Sequence, residues 1–306
     1  MLEAMRGLFV WILGAASVGL VAASAAAAAV TTEAVLDSPA YEVEPYLGNG
    51  YFAWAQASQA RPARFNAYAR PDAGSRFKVN PRGTVAFATD IDDTTLVFSQ
   101  RARPEAPGNV RLYDLVGRTA SNPPAGVNTK RYSEAGGKLL GDTLLFARYS
   151  RSASKIFLFD LVTHDRTLLE SISRPGYAQT GDVDGGLAAW IKCRRFAHCN
   201  AFTYDLAAKT KTRVPNPQHR SQYAVSLADD GTVYFGESSN INCGSSLAIW
   251  RYDVGGAREK LFGFRRARDI AVTTPVENLD GSTTIYYDRF NCNTGAADIF
   301  KTTVSP

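Results

Sequence analysis

The sequence predicts an all-β fold, a six-bladed β-propeller of four-stranded antiparallel blades. The first observation is a β-rich run ending in an aromatic residue, which recurs six times. These aromatic residues are separated by 44, 48, 44, 45 and 52 positions: Trp54, Phe98, Phe146, Trp190, Phe235 and Tyr287. The second is a run ending in aromatic-Asp-aliphatic, with its acids 46, 45 and 48 positions apart: Asp114, Asp160, Asp205 and Asp253. Both markers share a period of about 40–50 residues, which is typical of a propeller blade.

Each repeat divides into the four strands of a blade. The first, inner strand ends in a turn rich in Asp and Gly, as in Asp182–Gly185 and Asp229–Gly231. These residue types suit the left-handed backbone of tight turns. The second strand carries the first aromatic residue, and the third ends in the aromatic-Asp-aliphatic motif. A fourth strand, such as Arg166–Leu169 or Arg258–Phe262, closes the blade.

The last repeat lacks a fourth strand, because only Thr302 to Pro306 follow its third. An open strand edge presents unpaired N–H and C=O groups and promotes aggregation. The segment Val30–Val35 is rich in β-branched residues and lies at the other end of the repeats. We therefore expect this N-terminal strand to pair with Ile299–Thr303 and to close the ring.

The N-terminal region has the composition of a targeting segment. Arg6 precedes an apolar run that begins at Leu8, and small residues follow as far as Ala29. This order is typical of a secretory signal peptide over residues 1–29, which leaves a single propeller domain over residues 30–306. The alternative is an uncleaved anchor, although the apolar run is shorter than the roughly 20 residues of a spanning helix. A signal peptide implies a secreted, periplasmic or cell-envelope protein.

The four cysteines all follow the predicted signal peptide, and an even number in an oxidising compartment favours two disulfides. Cys193 and Cys199 flank the loop between the second and third strands of blade 4. Cys243 and Cys292 occupy the matching loops of blades 5 and 6. We expect the pairs Cys193–Cys199 and Cys243–Cys292. Zinc is the alternative, but it favours tighter Cys/His pairs, so no metal and no cofactor is expected.

The turn and strand motifs carry a resemblance to a known family. The segment Ala228–Phe235, with its Asp-Asp-Gly turn, and the Tyr-Asp-Leu third strands resemble the TolB-like, WD40-like six-bladed propellers of bacterial cell envelopes. The likeness covers about residues 40–303. It implies a propeller and an exported scaffold. It carries over no catalytic residue, because members of the family do varied work.

Motifs for catalysis are absent from the sequence. The histidines His164, His198 and His219 have no partner at a metal-binding spacing. There is no Gly-x-Ser-x-Gly elbow and no Gly-rich phosphate loop. The inner strands are small and neutral, as in Tyr177–Thr180, which favours binding over catalysis. The alternatives are a secreted lyase or glycosidase with paired carboxylates in the central funnel, and a purely structural envelope component.

Loop charges separate into two faces if each blade is an antiparallel meander. The turns between strands 1 and 2 and between strands 3 and 4 then share one face, and the loops between strands 2 and 3 and the crossings between blades share the other. The first face receives the acids Asp90, Asp92, Asp93, Asp142, Asp165, Asp182, Asp184, Asp229, Asp230 and Asp280. Asp is a good turn former, so this face needs no further explanation.

The second face is basic, although the formal net charge of the whole chain is only +5. It receives Arg101, Arg103, Arg148, Arg151, Lys192, Arg194, Arg195, Arg220, Arg265, Arg266, Arg268 and Arg289. Turn chemistry does not call for Arg, and its guanidinium binds carboxylates and phosphates through two parallel bonds. We expect a binding module whose basic face holds an anionic envelope polymer, an acidic protein or the phospholipid headgroups of a membrane surface. Nucleic acid is not expected for an exported protein.

Overall fold

The structure is a computed structural model that describes residues 29–195, 198–239, 246–265, 267–293 and 295–305, with the side chains of 267–273 left out. Within these ranges every regular element is a β-strand. The same ranges hold no helix with the length and apolarity that crossing a membrane requires. The predicted signal peptide lies outside the described residues.

The strands form six four-stranded antiparallel sheets, the predicted six blades. Blade 1 contains β2 (Tyr41–Gly48), β3 (Tyr51–Ala57), β4 (Asn66–Pro71) and β5 (Phe77–Lys78). Blade 2 contains β6 (Val85–Asp92), β7 (Thr95–Arg101), β8 (Gly108–Asp114) and β9 (Thr119–Ser121). Blade 3 contains β10 (Ser133–Leu140), β11 (Thr143–Tyr149), β12 (Ala153–Asp160) and β13 (Arg166–Ser173).

The remaining three blades follow the same order from the axis outwards. Blade 4 contains β14 (Tyr177–Asp184), β15 (Leu187–Cys193), β16 (Cys199–Asp205) and β17 (Lys211–Arg213). Blade 5 contains β18 (Ser221–Leu227), β19 (Val233–Ser238), β20 (Ser246–Tyr252) and β21 (Arg258–Arg265). Blade 6 contains β22 (Ala267–Glu277), β23 (Thr283–Asn291), β24 (Ala297–Val304) and β1 (Val30–Leu36).

Ring closure by the N-terminal strand is confirmed. β1 pairs antiparallel with β24, from Val30 opposite Val304 to Leu36 opposite Ile299. The Thr32 and Thr302 hydroxyls join the two strands at 2.9 Å. Blade 6 thus consists of both ends of the described chain, so its outer edge is paired with the segment that precedes blade 1.

The six aromatic residues that mark the repeat are buried in the hydrophobic core. Trp54 is 1% exposed, and the other five, Phe98, Phe146, Trp190, Phe235 and Tyr287, are 0% exposed. All six lie on the second strand of their blade, where both sheet faces pack against neighbouring blades. A large ring at this position fills the space between two sheets, and this is the physical reason for the repeated aromatic.

The acids that end the third strands also have a structural reason. The Oδ1 atom of Asp160 accepts hydrogen bonds from the N–H groups of Val162 and Thr163 at 2.8 and 2.7 Å. Asp114 and Asp205 make the same pair of bonds in blades 2 and 4. Each carboxylate therefore caps the turn into the fourth strand, as Asp does in Asx-turns.

A shift of register interrupts the inner strand of every blade at the same place. Such a bulge inserts an extra residue and redirects the side chains that follow it. The first paired residues after the shift are Tyr46, Asp90, Lys138, Asp182, Ser226 and Thr274. Four of these side chains, those of Tyr46, Asp90, Lys138 and Asp182, interact near the axis. The Lys138 ammonium lies 4.0 Å from the centroid of the Tyr46 ring, and the charges of Lys138 and Asp182 act on Asp90.

Candidate anion site

The structure places the predicted basic residues at different depths. Exposed side chains are those of Arg103, Arg151, Arg194, Arg195 and Arg265, and half-buried ones are those of Arg101, Lys192, Arg220 and Arg289. Arg266 and the side chain of Arg268 lie outside the described residues. The half-buried Arg289 stacks on Phe300, with 4.5 Å between guanidinium carbon and ring centroid.

Arg148 differs from the others because the fold itself uses its guanidinium. Its side chain is 10% exposed, and its Nε donates to Glu134 Oε1 at 2.8 Å. Its Nη2 donates to the carbonyls of Gly126 and Val127 at 2.9 and 2.8 Å. The expectation that Arg148 faces a ligand therefore needs correction: it neutralises a carboxylate that is 0% exposed.

Three of the predicted arginines meet at one cavity of about 440 Å³ beside blades 4 and 5. Arg194, Arg195 and Arg220 line it together with Arg213, which the sequence analysis did not assign to the basic face. The other lining residues are His198, Cys199, Asn200, Asn216 and His219. We call this cavity the Arg pocket.

One wall of the Arg pocket is the loop between β15 and β16. The predicted disulfide Cys193–Cys199 is confirmed and closes the base of this loop, with 3.9 Å between the two Cα atoms. The N–H of Arg194 donates to the carbonyl of His198 at 3.1 Å, and the N–H of His198 donates to that of Arg195 at 3.1 Å. The short, closed loop thus holds two guanidinium groups and an imidazole at one rim of the pocket.

The opposite wall is the crossing from β17 to β18. Asn216 accepts a bond from the Arg220 N–H at 3.0 Å and donates one to the Arg220 carbonyl at 2.6 Å, which folds the crossing into a compact turn. The same amide donates to Asn200 Oδ1 on β16 at 2.9 Å. Arg213 also donates to Asn200 Oδ1, at 2.5 Å. One side-chain oxygen on β16 therefore joins β17 to the crossing.

No described residue forms an ion pair that neutralises the positive charge of the Arg pocket. None of the ion pairs among the described residues involves Arg194, Arg195, Arg213 or Arg220. No Asp or Glu stands among the described residues that line the cavity. Four guanidinium groups around one cavity create a local positive potential that a net charge of +5 does not reveal.

The structure describes one of the two cysteines of the second predicted disulfide. Cys292 is disulfide-bonded, and its predicted partner Cys243 lies outside the described residues. Among the described residues no group of three or more His, Cys, Asp and Glu side chains has the arrangement of a metal site.

The axial mouth on the other face carries the opposite charge. A cavity of about 570 Å³ is lined by eight acids and, among the described residues, by no Lys or Arg: Asp72, Asp90, Asp92, Asp182, Asp184, Asp229, Asp230 and Glu277. The interpretation of the inner strands as neutral was wrong at this end. Strands β6 and β14 extend to Asp92 and Asp184, residues that the sequence pattern placed in turns.

Burial changes the proton affinity of these axial acids. The pKa of Asp90 is raised to about 7, chiefly because burial penalises the carboxylate; Lys138 lowers it and Asp182 raises it. Burial also raises the pKa of Asp184 to about 6. Three of the axial acids accept bonds from backbone N–H groups of the next blade. Asp90 Oδ2 accepts from Leu139 at 2.7 Å, Asp92 Oδ2 from Gly141 at 2.8 Å, and Asp182 Oδ2 from Leu227 at 3.0 Å.

Solved structures of other proteins share this architecture. No profile of a known protein family and no curated protein sequence matches the chain. A putative TolB from Agrobacterium tumefaciens superposes with a TM-score of 0.58 at 12% identity, over 92% of this chain and 99% of that one. TolB from Acinetobacter baumannii gives 0.53 at 13% identity, over 89% of this chain and 65% of that one. The chain has the fold of a TolB-like propeller.

Other solved structures share the TolB-like propeller fold. Oligogalacturonate lyase in complex with manganese superposes with a TM-score of 0.52 at 11% identity, over 89% of this chain and 84% of that one. A chain of a nidogen/laminin complex gives 0.50 at 11% identity, over 87% of this chain and 93% of that one. At these identities the likeness establishes the fold alone.

Proposed function

We propose that this TolB-like propeller is an exported binding module that holds an anionic ligand or the acidic surface of a protein partner on its basic face. The observation that carries the proposal is the Arg pocket, in which four guanidinium groups have no carboxylate partner in the part of the chain that the structure describes. Keeping like charges together costs electrostatic free energy, and a bound anion offsets that cost. A propeller that occurs in a nidogen/laminin complex is a precedent for a protein partner.

The proposal includes an extracytoplasmic location. The disulfide Cys193–Cys199 requires an oxidising compartment to persist, and residues 1–29 have the composition of a signal peptide. Anionic envelope polymers, acidic proteins and phospholipid headgroups are the ligands that such a compartment offers. Fractionation of the producing cells tests the location, and recovery of the protein from the cytoplasmic fraction alone contradicts it. N-terminal sequencing tests removal of the signal peptide, and a mature chain that retains residues 1–29 contradicts cleavage.

Retention on envelope material at low salt tests the binding function. Two variants divide the basic face: Arg194→Glu with Arg195→Glu at the Arg pocket, and Arg101→Glu with Arg103→Glu on blade 2. We expect the first pair to reduce retention strongly, because it reverses two charges of the four in the pocket. Added salt should reduce retention of the parent, since exposed charges are screened over about 10 Å at 0.1 M.

The matched control is Lys209→Glu, an equal change of charge per residue at an exposed turn between β16 and β17, on the acidic face. It should leave retention unchanged. Equal retention of the parent and both arginine pairs, with unchanged circular dichroism, contradicts the proposal. If retention depends on Arg101 and Arg103 and not on Arg194 and Arg195, the binding function stands and its site lies on blade 2.

The axial mouth favours a second candidate function, catalysis on a neutral glycan. A glycosidase pairs a protonated carboxyl group with an ionised carboxylate. The raised pKa values of Asp90 and Asp184 supply the first kind of group near neutral pH, beside other acids of the same cavity. Release of reducing sugar by the parent, lost at least about 100-fold in Asp184→Asn, is the expected result for this function.

A further inference from the structure

We propose that the Arg pocket is a site for a phosphate monoester, a dianionic phosphoryl group attached to a small organic group or a polymer end. This deepens the proposed function and rests on it. The argument depends on which polar atoms the pocket leaves free, on its charge and on its size.

The side-chain oxygens of the pocket are already engaged. The pocket's side-chain oxygens belong to Asn200 and Asn216. Asn200 Oδ1 accepts from Arg213 and Asn216, and Asn216 Oδ1 accepts from the Arg220 N–H. The carbonyls of Arg195 and Asn216 likewise accept from the N–H groups of His198 and His219.

What remains free is a set of donors. The guanidinium groups of Arg194, Arg195 and Arg220 make no hydrogen bond to a described residue of the pocket, and Arg213 makes one. The amide nitrogen of Asn200 also donates to none of the residues described around it. A pocket that presents donors favours a ligand made of acceptors, and a phosphate monoester dianion has three terminal oxygens and no hydroxyl proton.

Charge selects a phosphoryl group over a carboxylate. A monoester carries about −1.5 to −2 at neutral pH, whereas a carboxylate carries one negative charge on two oxygens. Four arginines stand around the cavity. Arg forms bidentate bonds to phosphate oxygens, so two or three of these residues from opposite walls can share one tetrahedral group. The imidazoles of His198 and His219 each add at least one N–H donor.

The volume of the Arg pocket and its described lining limit what the rest of the ligand can be. The volume of about 440 Å³ lies within the range of small-molecule sites and leaves room beyond one phosphoryl group. Its described lining contains only Arg, His and Asn side chains and Cys199. This described lining recognises the phosphoryl group through its charge and its hydrogen-bond donors.

Isothermal titration at pH 7.5 and constant ionic strength tests the proposal with methyl phosphate, sulfate and acetate as probes. We expect methyl phosphate to bind at least about tenfold more tightly than acetate, because it adds charge-assisted bonds. Binding of sulfate equal to that of methyl phosphate supports a site for tetrahedral dianions, and weaker sulfate binding supports selectivity for phosphate. Equal affinities of methyl phosphate and acetate overturn the proposal.

Two variants locate the binding. Arg220→Gln removes a guanidinium whose backbone turn is held by Asn216, and Arg194→Gln removes one from the exposed loop. Each should weaken methyl phosphate at least about fivefold. Lys209→Gln is the matched control, an exposed cation in the turn between β16 and β17, on the acidic face and outside the pocket. Unchanged affinity in both pocket variants, with melting temperatures equal to that of the parent, overturns the site.

This experiment separates the phosphate proposal from the broader function. Retention on envelope material that depends on Arg194 and Arg195, together with no methyl phosphate binding, refutes the phosphate monoester and keeps the basic face as a docking surface. If retention does not depend on Arg194 and Arg195 and methyl phosphate does not bind, both proposals are refuted. ³¹P line broadening of methyl phosphate, present with the parent and absent with Arg220→Gln, is an independent measurement of the same site.

Discussion

The buried ion pair between Arg148 and Glu134 makes a sharp prediction about stability. Replacing Arg148 by Ala removes the bond to Glu134 Oε1 and the bonds to the Gly126 and Val127 carbonyls. Glu134 is 0% exposed, and among the described residues its carboxylate would keep the bonds from the Thr129 N–H and hydroxyl, at 3.2 and 3.0 Å. The variant therefore leaves a buried carboxylate without its counter-charge.

The expected loss of unfolding free energy is about 3–5 kcal/mol, the range found when one partner of a buried pair is removed. Lost stacking adds to it, because the Arg148 guanidinium lies 5.3 and 5.6 Å from the centroids of Phe157 and Phe146. The double variant Arg148→Met with Glu134→Gln should be destabilised less, because no buried charge remains without a partner. This ordering of single and double variants is the signature of a structural pair.

Urea unfolding followed by tryptophan fluorescence measures the effect, because Trp54 and Trp190 are 1% and 0% exposed. With an m-value of about 3 kcal/mol/M, a loss of about 4 kcal/mol lowers the midpoint by roughly 1.3 M. The matched control is Arg151→Ala, an exposed arginine on the same face, which should cost less than about 0.5 kcal/mol. A loss below about 1 kcal/mol for Arg148→Ala, close to that of a surface substitution, would refute the reasoning.

Two further predictions concern the disulfide and the axial acids. Replacing Cys193 and Cys199 by Ser opens a loop whose ends are 6 residues apart in sequence. The loss of the cross-link should lower the free energy of unfolding by about 2 kcal/mol through loop entropy, and it should weaken methyl phosphate binding. Unchanged binding would show that the loop keeps its shape without the disulfide. The pKa of Asp90 in the folded state is about 7, above the ordinary value of 3.8. The folded state therefore keeps a proton that the unfolded chain loses. For this reason the contribution of Asp90 to stability falls as pH rises from about 4 to about 7. The variant Asp90→Asn should therefore gain stability relative to the parent across that window in urea titrations at stepped pH, and a constant difference between the two proteins would contradict the raised pKa.

The blades and their closure could be predicted from the sequence because they depend on local periodicity. Alternating strands and capped turns repeat in each blade, so each copy strengthens the interpretation of the others. The aromatic marker follows from packing between sheets, and the third-strand acid from turn capping, as Asp160 shows. The missing fourth strand of the last repeat identified β1 as its partner by simple counting. The antiparallel meander also indicated which loops share a face.

The candidate site needed the tertiary structure. Arg213 lies on a fourth strand and Arg220 on a crossing, and no linear pattern links either to Arg194 in a different loop. Arg148 looked like its neighbours in sequence, but Glu134 on the adjacent strand draws it into the core. Pairing across strands decides which charges meet a counter-charge and which stay free.

The axial acids illustrate the same limit. Asp90 belongs to an Asp-rich stretch that indicates a turn, yet a bulge lengthens the inner strand and directs the carboxyl group to the axis. There it meets Asp182 and Lys138 from other blades. The sequence by itself determined the repeat, the ring and its closure, because these follow from interactions between near neighbours. The tertiary structure alone decided the Arg pocket, because strand pairing within blade 4 and the crossing to blade 5 bring its arginines together. The meander had already assigned six of the eight acids of the axial mouth to one face, and the packing of separate blades around one axis decided their burial there.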